Sequence, residues 1–477
     1  MTATSPPAAP QVVATTAWAL LLLVAANSGL SALTSSVMNV ALPDIARDFR
    51  IDPSSASWFV LSFLMTVTAL LLPAGRLGDL AGHGRLYLAG SVVFAFGALG
   101  CGLAPSPALL ILGRIAQGFG SAMVMATSPA LLTQSVAPGR RGFALGFMST
   151  ALYFGLTVGP PLGGLMVHHL GWRSIFFLTF VSTLALVIPG WRIIRHPQAA
   201  SQRPRFDWLG SFLITAGTLS FLLVCTRGLT WGLTHPATLV LSVAAVVLLP
   251  VFVRLQLSLP APTVDMRLFR SRTFSSAALG AMLNYVSLFI VLFVLPFALR
   301  DGQKMSVHVL GRLMASQAAG MALLAWGSGW LSDRLGSRGL ATGGMIVTAA
   351  GLAGLAWHWP TSGVIAPAGW LFLVGAGTGV FISPNSSALM GAAPPDRQGI
   401  AGGVMALART LGMSFGVAIA SALFSTVFEH GKAVTVWSAA ADHVVQIGLF
   451  FSAATSLLVA VVSFAGPAPS LQAQQRG

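Results

Sequence analysis

Fourteen apolar runs, each close to the length needed to cross a bilayer, follow one another along the chain and leave little sequence between them. A spanning helix needs about 20 predominantly apolar residues. Backbone polar groups inside lipid must be satisfied within the spanning structure itself, so long apolar runs without strand alternation are read as helices. The reading places them at Thr16–Leu42, Ala56–Gly75, Leu86–Leu103, Ala108–Val136, Phe143–Val167, Ile175–Ile193, Trp208–Thr226, Ala237–Val253, Phe274–Leu299, Val309–Leu331, Leu340–Trp357, Val364–Gly391, Ile400–Phe428 and Val444–Phe464. The fold class that follows is an all-α integral membrane protein. Only 8% of the 477 residues are charged, against roughly 25% in soluble domains, which excludes a soluble enzyme or a soluble binding module.

The charges that remain carry topology. Net charge is +15, but the basic residues form short clusters between apolar runs, the pattern of membrane orientation and not of nucleic-acid binding. One set of alternate loops holds Arg76, Arg85, Arg140, Arg141, Arg192, Arg195, Arg203, Arg205, Arg254, Arg267, Arg270, Arg272, Arg334, Arg338 and Arg397. The opposite loops hold Arg47, Arg50, Arg173, Arg227, Arg300, Lys304 and Lys432. The first set is about twice the second, so it is assigned to the cytoplasm together with both termini. The N-terminal stretch lacks a basic segment, and the apolar run after it exceeds a signal-peptide core, so it reads as a retained first span. Cys101 and Cys225 both lie in apolar runs, which speaks against a disulfide framework or a metal site. No cofactor is expected. Arginine outnumbers lysine, which occurs only at Lys304 and Lys432; this fits a GC-rich bacterial genome, hence a bacterial cytoplasmic membrane.

An internal repeat divides the chain. GRLGDLAGHGRL (Gly75–Leu86) follows the second span and GWLSDRLGSRGL (Gly329–Leu340) follows the tenth. Parallel halves of this kind characterise transporters that rock about a central site. The units are residues 1–194 as a first six-helix bundle, 195–272 as a linker with an inserted helix pair, and 273–477 as a second six-helix bundle. The repeated aspartates, Asp79 and Asp333, are expected to accept helix N-terminal amides. They are also expected to pair with arginines such as Arg85 and Arg338, forming a clamp that favours one conformation.

Polar groups inside spans are costly and usually face the interior. The first span carries Asn27, Ser31, Thr34, Ser35 and Asn39; the fourth carries Arg114 and Gln117; the ninth carries Asn284; the twelfth breaks at SPNSS with Asn385; the thirteenth carries Arg409. Thr34, Asn39, Gln117, Asn284, Asn385 and Arg409 are the candidate cavity residues, and Arg114 is a candidate for coupling or for structural bonding to carbonyls. No carboxylate falls at mid-membrane in this reading. In the fifth span, Gly155, Gly159 and Gly163 occupy one helical face, followed by Gly164, with Pro160 and Pro161 between them. Small residues on one face let a neighbouring backbone approach closely. The face is either a packing motif alone or a seal.

These motifs resemble the major facilitator superfamily, and most closely its fourteen-helix branch of drug–proton antiporters. Gly75–Arg85 resembles the family's loop 2–3 motif, RIAQG (Arg114–Gly118) its fourth-helix motif, GLTVGPPLGG (Gly155–Gly164) its antiporter motif, and VALP (Val40–Pro43) the end of its first-helix motif. The resemblance implies two six-helix bundles plus an inserted pair, export of lipophilic small molecules, and a proton gradient as energy source. It also implies a role for Arg114 in proton coupling. A carrier of this type needs the lipid bilayer and its substrate as partners; it works as a monomer and binds no nucleic acid. One departure stands out. Thr34 occupies the place where the family's first-helix motif carries an aspartate. With Arg114 and Arg409 unopposed, the interior would be net positive, and a neutral, zwitterionic or anionic substrate is expected. The alternative is an uptake permease for a small nutrient.

Overall fold

The computed structural model describes residues 12–136, 141–194, 207–232, 234–259, 266–360, 363–394, 398–428 and 437–465. Fourteen of its helices are long and apolar enough to cross a membrane. They are α1 (Val12–Phe49), α2 (Trp58–Ala81), α3 (His83–Leu103), α4 (Pro107–Ser135), α5 (Arg141–Leu170), α6 (Arg173–Ile193), α7 (Trp208–Trp231), α8 (Pro236–Ser258), α9 (Arg272–Phe297), α10 (Val307–Leu335), α11 (Ser337–Trp357), α12 (Ile365–Gly391), α13 (Gln398–Ser425) and α14 (Ala439–Ala465). Helix α1 packs most on α5, α2 and α3 on α4, α10 on α12, α11 on α12 and α14, and α9 on α13. The inserted α7–α8 pair packs on itself, and α7 also touches α2 and α13. Helix α8 turns Val240, Val243 and Val246 outward, as a helix facing lipid should.

Several helices run past the ends expected from hydropathy. Helix α1 continues through Pro43 to Phe49; proline removes one donor, but the next turns still bond to one another. As a result, Asp44 and Asp48 are helical. Helix α2 extends to Ala81, which places Asp79 in its last turn, and α10 extends to Leu335, which makes Asp333 helical. The repeat is therefore a helix end plus a tight turn and not a free loop. Its hinge residue is glycine in both halves: Gly82 has φ +92° and Gly336 φ +84°, a region that L side chains rarely adopt.

The chain has two ends. The far end gathers the α1–α2, α3–α4, α5–α6, α7–α8, α9–α10, α11–α12 and α13–α14 connections. Asp48 there accepts from Trp172 Nε1 (3.1 Å) and Arg173 (2.9 Å). Asp442 accepts from Trp359 Nε1 and Trp437 Nε1, both at 3.0 Å. The near end gathers the remaining connections, where Gly84 meets Ile194 and Arg338 lies over Phe464. The apolar core is asymmetric between these ends. In the far half one continuous cluster spans both bundles, joining Leu42, Ile45 and Phe59 to Val291, Leu295, Leu310 and Phe424. In the near half the cores separate. Leu20, Val24, Tyr87 and Leu132 form one cluster. Leu213, Phe252, Phe274, Leu389 and Val404 form another, with Leu72 as the contribution from the first bundle. The two bundles are thus fused at the far end and largely parted at the near end.

Candidate functional site

The glycine face of α5 is placed by its neighbours on two sides. A Cβ on Gly155 would overlap the carbonyl oxygen of Gly29 on α1. One on Gly159 would lie 2.6 Å from Ser36 Cβ, and one on Gly163 2.7 Å from Val37 Cγ1. These three residues therefore let α1 and α5 run backbone against backbone. Ser36 Oγ adds a bond to the Leu156 carbonyl at 2.9 Å. Gly164 points elsewhere. Its Cβ would fall 2.8 Å from the Cα of Gly311 on α10, in the other bundle. Pro160 and Pro161 lie within the same continuous helix. One motif thus fastens α5 to its own bundle and to the opposite one.

A second junction closes the far end, and it was not legible as a site. Arg47 on α1 donates through Nε to Asp301 Oδ1 at 2.9 Å, just beyond α9. Arg300 donates to Asp44 Oδ1 at 2.8 Å, and Arg47 also reaches Asp44 at 3.1 Å. Ser421 on α13 accepts from Ser57 Oγ at 3.0 Å, in the α1–α2 turn. The available signal was charge order. The first span ends acid then base (Asp44, Arg47), and the ninth ends base then acid (Arg300, Asp301). Exposed single pairs contribute little, about 0–1 kcal/mol; a partly buried network is worth more. That is the right scale for biasing two states separated by a few kcal/mol. Asp301→Arg is expected to loosen the far end, and Arg47→Asp in the same chain to restore it. Labelling of a cysteine placed at Ser421 reads this out, and unchanged labelling in Asp301→Arg would discard the latch.

Among the coupling candidates, Arg114 is 1% exposed. Its Nε donates to the Phe59 carbonyl at 2.8 Å and its NH1 to Gln117 Oε1 at 2.8 Å. The guanidinium lies 4.3 Å from the Phe63 ring centroid. Its remaining nitrogen, NH2, is buried with no hydrogen-bond partner. Among the described residues no carboxylate pairs with it. Asp79 does not cap α3, which has no side-chain cap. It pairs instead with Arg76 (3.5 Å) and His83 (3.4 Å) within its own half, and Arg85 is exposed. Arg338 stacks on Phe464 at 4.5 Å. The side chain of Asp333 lies outside the described residues; for Asp79 the pairs within its own half replace the expected clamp to Arg85.

The candidate cavity residues fall into two groups. Asn284, Asn385 and Arg409 line one small cavity of about 20 Å³ between α9, α12 and α13, room for about one water. Asn284 Nδ2 is buried there without a hydrogen bond, while Asn385 donates to the Ala277 carbonyl at 3.0 Å. The lining includes Tyr285, Ser386 and Met405 and, among the described residues, no carboxylate. The others are packed away. Thr34 bonds to Thr179 of α6 at 3.0 Å and to the Leu30 carbonyl at 2.9 Å. Asn39 reaches the Ser35 carbonyl at 3.4 Å, and Gln117 is held by Arg114. The first-span threonine is therefore a helix–helix contact in this state.

Comparison with known proteins bears on the fold and the family. A solved structure of a bacterial homolog of the human lysosomal transporter Spinster, in an inward-facing and unoccupied conformation, superposes with a TM-score of 0.66. It covers 98% of each chain at 14% identity. The chain is 31% identical over 407 residues to the multidrug resistance protein Stp of Mycobacterium tuberculosis, covering 84% of this chain and 75% of that one. It is 28% identical over 409 residues to the tetracenomycin C resistance and export protein of Streptomyces glaucescens, covering 86% and 76%. It is 29% identical over 415 residues to the riboflavin transporter RibZ of Clostridioides difficile, covering 87% and 90%. The sequence profile described as Major Facilitator Superfamily matches residues 24–417 and 277–476. With fourteen apolar helices, a repeated helix-end motif and relatives among multidrug resistance proteins, the chain belongs to the Major Facilitator Superfamily and to its multidrug-efflux branch.

Proposed function

We propose that this multi-pass membrane transporter exports lipophilic small molecules across the bacterial cytoplasmic membrane by alternating access, driven by proton antiport. The observation that carries the reading is the α5 glycine face, which holds α1 close on one side and meets α10 of the opposite bundle through Gly164. A leak-tight far end is what an exporter working against a gradient requires. On this reading the near end is cytoplasmic, in keeping with its arginine-rich loops, and both termini lie there. The cargo is neutral, zwitterionic or anionic, because the cavity at Asn284 and Arg409 presents donors and a positive charge but no acid. Arg114 and the Asp79 turn supply coupling and conformational bias, Asn284, Asn385 and Arg409 the cargo site, and a monomer suffices. The two named resistance relatives support export.

A second reading, uptake of a nutrient, has support from the relative named a riboflavin transporter. Everted membrane vesicles separate the two. Export predicts substrate accumulation inside everted vesicles that collapses when the pH gradient is discharged. Accumulation only in right-side-out vesicles, or strong preference for quaternary cations, overturns the proposal in direction or in cargo.

A further inference from the structure

At the near end, a second pocket lies between α9, α11, α12 and α14 and shares Asn385 with the cavity at Asn284 and Arg409. It has about 30 Å³ and is lined by Thr273, Ser276, Ser337, Arg338, Asn385 and Ser463 among others. We infer that this pocket binds a phosphate-type oxyanion, supplied by the headgroup of a membrane lipid. The inference needs only that the chain spans a bilayer; it does not depend on the direction of transport.

Two helices begin at this pocket. Helix α11 starts at Ser337, behind Gly336, with no side chain capping it. Helix α9 starts at Arg272, so Thr273 belongs to its first turn; the Phe274 amide there is already capped by Ser271 Oγ at 3.4 Å, which leaves the uncapped start of α11 as the open one. The first amides of a helix have no intrahelical acceptor, and the aligned peptide dipoles favour negative charge there. A helix start alone attracts any anion weakly. What turns this one into a site is unspent donor capacity. Ser337 is 8% exposed, lines the pocket, and its hydroxyl has no hydrogen bond among the described residues. Arg338 has a buried Nε with no hydrogen-bond partner and forms no ion pair among the described residues. Its guanidinium carbon lies over the Phe464 ring, 4.5 Å from the centroid. A planar fork of this kind matches two oxygens of a phosphate at once. Among the described residues no carboxylate lines the pocket.

Position selects the source. The pocket sits at the first turns of two spanning helices, the depth of the headgroup layer and not of the hydrocarbon. Phe464, which forms one wall of the arginine's setting, is itself 62% exposed on the outer surface of α14. Basic pockets between spanning helices at this level suit anionic headgroups. A headgroup held here would bridge α9 and the start of α11, just after the glycine-hinged turn at Gly336.

The test is native mass spectrometry of the full-length chain in detergent, titrated separately with phosphatidylglycerol, phosphatidylcholine and inorganic phosphate. The expected result is one tightly retained phosphatidylglycerol, weakened about tenfold by Arg338→Gln and severalfold by Ser337→Ala. Arg254→Gln, which removes an exposed arginine at the same end, should leave retention unchanged. Retention of inorganic phosphate with the same dependence on Arg338 would keep the oxyanion site and reassign its source to solution. Thermal unfolding of each variant without ligand shows whether it is folded, and Ser337→Ala carries the test if Arg338→Gln is not. Equal retention of phosphatidylglycerol by wild type and by folded variants, or by Arg254→Gln weakened as much as Arg338→Gln, overturns the proposal.

Discussion

Gly155→Leu is expected to abolish transport and to lower the amount of protein in the membrane. Even the first carbon of the new side chain would overlap the Gly29 carbonyl oxygen on α1. That neighbour is backbone and cannot swing aside, so the two helices must separate. Overpacking of this kind costs about 1–3 kcal/mol or more. Separation also costs the Ser36 bond to the Leu156 carbonyl and the contact of Gly164 with Gly311, since all lie on one helix. Gly343→Leu is the matched control. Nothing lies within 4 Å of a Cβ at Gly343, so transport and abundance should match wild type. Efflux assays normalised to membrane protein levels make the comparison. Normal efflux by Gly155→Leu would mean that the α1–α5 contact is not the seal.

Arg114→Ala is expected to cut gradient-driven transport by about a hundredfold. The substitution removes charge-assisted hydrogen bonds to the Phe59 carbonyl and Gln117 Oε1, each worth roughly 1.5–3 kcal/mol. It also takes the strongest partner from Gln117 Oε1, which keeps only a weak contact from Cys101 Sγ at 3.9 Å. Two causes of the loss can be told apart. If Arg114 only ties α4 to α2, the variant loses thermal stability and both driven and downhill flux fall together. If it also couples protons, downhill exchange of substrate persists in vesicles while accumulation driven by the pH gradient disappears. Arg114→Lys keeps the charge but not the fork that reaches two acceptors, so it should rescue stability only in part. Wild-type accumulation by Arg114→Ala would remove this residue from the mechanism.

What could be read from the chain divides along a physical line. The number of spans was legible because a run of about 20 apolar residues has few other outcomes. Span ends were not, because polar residues such as Asp44 and Asp48 remain helical once the helix has passed Pro43. The α5 glycines announced a close contact, but not with whom. That Gly155 meets Gly29 while Gly164 meets Gly311 depends on how two bundles dock, which no local pattern encodes. Thr34 is the clearest case of tertiary context overriding position. Its place in the first-span motif suggested a cavity, and its hydroxyl is instead held by Thr179. The far-end latch was hidden for a different reason. Asp44, Arg47, Arg300 and Asp301 each read as an ordinary charge at the end of a span. Their complementarity exists only when spans one and nine are laid side by side. The cavity was the least legible, since Asn284, Asn385 and Arg409 lie on three helices and meet only in the fold.

The latch has one further consequence. Its arginines reach water at one surface only: Arg47 is 41% exposed and Arg300 24%, against 11% for Asp301 and 18% for Asp44. Mobile salt weakens such attractions over a distance that shrinks from about 10 Å at 0.1 M to about 3 Å at 1 M. The hydrocarbon prevents salt added on one side from reaching the other. The transport cycle should therefore carry a sidedness in its response to ionic strength. Salt raised at the far face should hasten opening there, and the same salt at the near face should leave the latch untouched. Reconstituted vesicles with unequal salt inside and out would reveal this as a dependence of turnover on which compartment is salted, and equal responses from both compartments would count against the latch as the element that sets the pace.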